Sequence, residues 1–110
     1  MNIQIFGKGK CFDTKKAERW FKERRIKFQS VDIKKYGMSV GELTSVKNAV
    51  GLDEMIDQKH PDAVLLSYLA SDGAKLEKLY ENPAILRTPI VRNGRKATVG
   101  YHPEVWETWE

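Results

Sequence analysis

With 110 residues, 41% of them hydrophobic, the chain is long enough to bury one compact core. Its 19 basic and 15 acidic residues leave a net charge of +4 in local clusters rather than one stripe; this argues against direct nucleic-acid binding and suits small anions or an acidic protein. No apolar run approaches the roughly 20 residues of a membrane helix, and a single cysteine excludes an internal disulfide.

The opening Met1-Asn2-Ile3-Gln4-Ile5-Phe6 is too short and too polar for a signal peptide, so a cytoplasmic setting with reduced thiols is expected. Asn2 to Phe6 alternates polar and apolar residues before a Gly-rich turn and predicts a first strand. From Phe12 to about Arg25 the apolar residues Phe12, Ala17, Trp20 and Phe21 are expected on one helical face. Ile26 to Ile33 alternates again and predicts a second strand, parallel to the first across a βαβ crossover.

The middle of the chain, about 38–82, carries helical punctuation. Ser39-Val40-Gly41-Glu42 has the capping-box pattern, followed by Leu43, Val46, Ala49 and Val50 until Gly51. Leu52 to Ile56 predicts a short helical turn, and Pro61 opens another that carries Leu65, Leu66, Tyr68 and Leu69. Ser71 is expected to cap a last helix through Ala74, Leu76, Leu79 and Tyr80, ending before Pro83. Pro89 to Val99 predicts a hairpin turning at Asn93-Gly94 in a type I′ turn. His102-Pro103 then starts a closing helix with Val105, Trp106 and Trp109. The economical packing is an α/β domain spanning 1–110, a four-stranded mixed sheet with a helical insertion between its halves. That is the layout of a thioredoxin-like fold.

Cys11 stands between the first strand and the first helix, in Gly7-Lys8-Gly9-Lys10-Cys11-Phe12-Asp13-Thr14-Lys15-Lys16. A thiol at a helix N-terminus meets free N–H groups and the positive end of the macrodipole, both of which favour thiolate. The flanking lysines add charge of the same sign. A buried free cysteine acting as a small hydrophobe is the alternative. Gly7 to Lys10 lacks the spacing of a Walker A loop, although its N–H groups can cradle an anion. His60 and His102 each precede a proline and have no Cys or His neighbour at ligand spacing, so no metal is expected.

Three pieces of the chain, in this order, resemble the ArsC/Spx family of glutaredoxin-like arsenate reductases, Spx-type regulators and their relatives. They are Cys11 with Thr14 and Lys15-Lys16-Ala17, then Glu81-Asn82-Pro83-Ala84-Ile85-Leu86-Arg87-Thr88-Pro89-Ile90-Val91, then Val99-Gly100-Tyr101. The resemblance implies a cis bond at Thr88-Pro89 beside a nucleophilic Cys11. In the arsenate reductases the thiolate attacks arsenate, a thiol such as glutathione attacks the adduct, and glutaredoxin restores the enzyme. Lys8, Lys10, Thr14, Arg87, Thr88 and Pro89 would then line the substrate site, with glutathione as co-substrate and no bound cofactor.

Departures from the family pattern bear on that reading. The reductases clamp the oxyanion with one arginine in the insertion, one immediately before the cis-proline and one after the hairpin. Here Thr88 precedes Pro89 with Arg87 a step earlier, no arginine occurs around Asp57-Gln58-Lys59, and Tyr101 holds the third place. Each missing charge-assisted contact removes on the order of 1.5–3 kcal/mol, so weak arsenate binding is expected. Position 14 is Thr, so the Cys-x-x-Cys switch of the Spx regulators is absent, and any disulfide is intermolecular. The expectation is a thiol oxidoreductase of the arsenate reductase or glutaredoxin-like kind. The alternatives are an Spx-like protein docking on RNA polymerase and a non-catalytic interaction protein of the same fold.

Overall fold

A computed structural model describes residues 1–109. The sheet has four strands in the order β2-β1-β3-β4. They are β1 (Ile3–Gly7), β2 (Phe28–Asp32), β3 (Ile90–Asn93) and β4 (Lys96–Val99). β1 runs parallel to β2 and antiparallel to β3, and β3 runs antiparallel to β4. Between β1 and β2 lies α1 (Phe12–Glu23). The segment between β2 and β3 holds α2 (Ile33–Tyr36), α3 (Val40–Val50), α4 (Leu52–Met55), α5 (Ala63–Leu66) and α6 (Asp72–Glu81). α7 (Pro103–Trp106) and a 3-10 turn, Glu107–Trp109, close the described chain. This is the mixed-sheet, thioredoxin-like arrangement that the element order implies.

Strand alternation builds two cores, one on each face of the sheet. Ile3, Ile5 and Val91 point toward Ala17, Trp20 and Phe21 of α1 and Trp106 of α7. Phe6, Ile90 and Val99 point the other way, into Leu43, Val46, Met55, Leu66 and Leu79 of the insertion. Register enforces the division: Ile5 pairs with Val91, while Phe6, Ile90 and Val99 form a row across three strands. Ser39 accepts from the Glu42 N–H while the Glu42 carboxylate accepts from the Ser39 N–H, so the capping box forms as its sequence predicts. Ser71 likewise caps α6 through the Ala74 N–H.

Three local expectations are corrected. The second strand ends at Asp32 rather than Ile33, because Asp32 turns back to accept from the Lys34 N–H and starts α2 with Ile33 buried beneath it. The hairpin closes at the Asn93–Lys96 pair, so its loop residues are Gly94 and Arg95. Only Gly94 has positive φ (60°), which suits a type II′ turn rather than I′. Asn93 stays in the strand and accepts from the Asn2 N–H through its side chain. Phe12 does not join the core face of α1: at 3.6 residues per turn it lies about 140° around the helix from Ala17. It is 74% exposed, and Thr14 takes the fourth buried place.

Candidate active site around Cys11

β1 ends at a buried Gly7, and the chain turns through Lys8, Gly9 and Lys10, where the Cys11 N–H donates to the Lys8 carbonyl at 3.0 Å. Cys11 is the N-cap residue of α1, with extended backbone, and its carbonyl accepts from the Lys15 N–H. Its side chain makes no cap hydrogen bond, so the half-buried sulfur is left to face the opposite wall. That wall is the segment 84–89, a strap leading into β3 through the cis Thr88–Pro89 bond. In the thiol form Sγ–H donates to the Thr88 carbonyl at 3.6 Å.

Burial of the sulfur raises its pKa, and the hydroxyls of Thr14 and Thr88 and the N–H groups of Thr14 and Asp13 lower it. The donors outweigh burial, and the thiol sits below its ordinary value. Thr14 is suited to this part. It is 6% exposed, and its hydroxyl has no hydrogen-bond partner among the described residues. Deprotonation of Cys11 would give that hydroxyl an acceptor.

Lys8 reaches across to the strap, where its ammonium donates to the carbonyls of Ala84 and Leu86, both at 2.9 Å. Lys10 is exposed on the loop. Arg87 points away along the surface to Glu54 at 3.3 Å, and its other terminal nitrogen lies beside Gly100, whose φ of +95° is a backbone conformation that residues with side chains rarely adopt. The Thr88 carbonyl meets the sulfur, and the Pro89 carbonyl accepts from the Gly100 N–H.

Sequence reasoning missed the rim. The Lys16 ammonium lies 4.3 Å from the Tyr101 ring and 6.0 Å from that of Phe12, and Tyr101 packs edge-on against Trp106. No local signal joins position 16 to position 101; only the closing of α7 on α1 does.

A half-buried thiol at a helix N-terminus, facing a cis-proline strap across a mixed sheet, defines a thioredoxin-fold thiol protein. The ArsC family model matches residues 6–109, and the chain belongs to that family. It is 30% identical to "Global transcriptional regulator Spx 2" of Oceanobacillus iheyensis, over 94% of this chain and 80% of that one. Its fold matches that of an ArsC family related protein from Bacteroides fragilis, with a TM-score of 0.85 at 22% identity over 100% of this chain and 98% of that one. An arsenate reductase from Vibrio cholerae matches with a TM-score of 0.82 at 24% identity over 96% and 94% of the two chains.

Proposed function

We propose that the protein is a thiol oxidoreductase with Cys11 as its nucleophile, acting in the cytoplasm on glutathione-linked substrates. The observation that carries this reading is the set of donors around Sγ, which hold the thiol below its ordinary pKa despite burial. In the exchange step the Cys11 thiolate attacks one sulfur of glutathione disulfide. A Cys11–glutathione bond forms, the original S–S bond breaks, and glutathione leaves as a thiolate that takes a proton from water. A glutathione or glutaredoxin thiolate then attacks the glutathionyl sulfur; the new disulfide forms there, the Cys11–S bond breaks, and Cys11 leaves as a thiolate that takes up a proton from water. Position 14 is Thr, so no second protein thiol competes for this step.

Arsenate is a poor fit. Arg87 is engaged by Glu54, Tyr101 lies under Lys16, and Thr88 precedes the proline. An oxyanion at the sulfur is left with loop lysines and α1 N–H groups, without the bidentate fork of an arginine.

The test is iodoacetamide alkylation of reduced protein against pH, then mass spectrometry after exposure to glutathione disulfide. A half-point below that of free cysteine together with a glutathione adduct supports the reading. An ordinary half-point and no adduct overturn it. Arsenate turnover with glutathione is expected to be slow or absent.

The identity with a transcriptional regulator favours a second reading, docking on RNA polymerase without chemistry. Affinity purification from cells separates the two. Polymerase recovered equally with the chain and with its Cys11→Ser variant supports docking.

A further inference from the structure

Backbone groups of the strap find their partners from two sides. The Ile85 carbonyl accepts from the Asp57 N–H, and the Arg87 N–H donates to the Met55 carbonyl, both at 2.8 Å. Ile56 and Leu86 form a bridge between these contacts. The carbonyls on the other side, Ala84 and Leu86, have no backbone donor among the described residues; the Lys8 ammonium fills both places. Two residues further on, the Thr88 carbonyl meets Sγ of Cys11. Lys8 and Cys11 therefore grip one strap from one loop. They are also tied to each other, because the Lys8 carbonyl accepts from the Cys11 N–H.

We propose that Lys8 is the positioning residue of the thiol site, its side chain holding the strap and its carbonyl holding Cys11, so that Thr88 is kept at a fixed spacing from the sulfur. This rests on the oxidoreductase reading for its functional meaning, though not for its geometry. Burial lowers the Lys8 pKa, the charges of Asp57 and Cys11 raise it, and Lys34 lowers it further. The cost of burial is offset only in part by two carbonyls and two attractive charges, an expensive arrangement for a residue with no part in the site. A lysine held in this way has one of its three ammonium donors left for an incoming anion. It acts through the strap and through its charge. A merely solvated loop lysine would be half of neither contact.

The test compares Lys8→Met, which keeps length and removes charge and donors, with Lys8→Arg, which keeps both. Two readouts are taken on folded protein: the pH half-point of Cys11 alkylation, and amide hydrogen exchange of Asp57, Leu86 and Arg87. Lys8→Met is expected to raise the half-point, cut alkylation at pH 7 by about tenfold, equivalent to one pH unit, and speed exchange at the strap. Lys8→Arg is expected to restore both readouts to near those of the unmodified protein. Should Lys8→Met fail to fold, Lys8→Gln, which keeps a donor without charge, takes its place with the same expectations. Unchanged exchange together with an unchanged half-point overturns the proposal. So does a shift in the half-point that arginine does not reverse. The two readings fail separately: an ordinary thiol in the unmodified protein sinks the oxidoreductase, while strap exchange still decides whether Lys8 holds it.

Discussion

Gly7 and Thr14 approach so closely that no side chain fits between them. A Cβ added at Gly7 would stand 2.6 Å from the Thr14 hydroxyl oxygen and nearer still to its methyl group. The last residue of β1 is thus glycine for contact rather than for backbone freedom, and the contact presses the Thr14 hydroxyl into its buried place one turn after Cys11. Gly7→Ala is expected to cost about 1–3 kcal/mol through overpacking. It should also raise the pH half-point of Cys11 alkylation, because Thr14 is forced to turn. Chemical denaturation and the alkylation profile check the two effects separately.

Thr14→Val keeps the shape and deletes the hydroxyl. The hydroxyl has no other partner in the thiol form among the described residues, so folding stability at neutral pH is expected to be unchanged or slightly higher. Alkylation should shift to higher pH, since one of the donors that lower the thiol is gone. A large loss of stability with no shift in the profile would show Thr14 to be a packing residue alone.

Much of this was legible in the sequence where local chemistry decides the outcome. The capping box at Ser39 and Glu42 reads directly, as do alternation in β1 and the helix that follows Cys11. The parts that were hidden depend on distant partners. Asp32 ends β2 because its own carboxylate finds the Lys34 N–H, a competition that strand alternation does not register. Asn93-Gly94 suggests a turn, yet Asn93 remains in the strand where Ile3 and Lys96 pair with it. Lys8 reads as a loop lysine lining the substrate site, and only residues 76 and 78 positions away, which bring it two carbonyls, turn it toward the strap.

The pH dependence of stability should carry the mark of the thiol. Cys11 titrates below its ordinary value in the folded chain, so the folded state releases the proton more readily than the unfolded one. Its contribution to stability is fully present above the unfolded thiol value of about 8.5 and is lost as pH falls through the folded value. Cys11→Ser, which does not titrate there, serves as reference. The stability difference between unmodified protein and variant is expected to grow with pH across that interval. A difference that is flat with pH would mean that folding does not shift the thiol.

Trp106 joins the two ends of the second core. Its ring is 1% exposed, lies 5.0 Å from Phe21 and 5.4 Å from Trp20 between centroids, and donates through Nε1 to the buried Thr98 hydroxyl at 2.8 Å. Trp106→Ala is expected to cost about 3–5 kcal/mol. Trp106→Phe should cost less, about 1–3 kcal/mol, mostly for the hydroxyl left without its donor. Because Tyr101 leans on the same ring, both variants should also loosen the Lys16–Tyr101 stack. Tyrosine fluorescence and thermal unfolding would register the loss.

The strap has a consequence for how such a chain diversifies. The insertion grips it at Met55, Asp57 and the Ile56–Leu86 bridge, whereas Val64 and Leu65 of α5, and Tyr68 just beyond it, point outward, all more than half exposed. Substitutions on that outer surface need not move the sulfur, and changes at Lys8, Cys11 or Thr14 need not alter the surface. The loop that carries the thiol and the exposed apolar surface of α5 thereby lie in separate stretches of the sequence. Either stretch can change residue by residue while the other keeps its geometry.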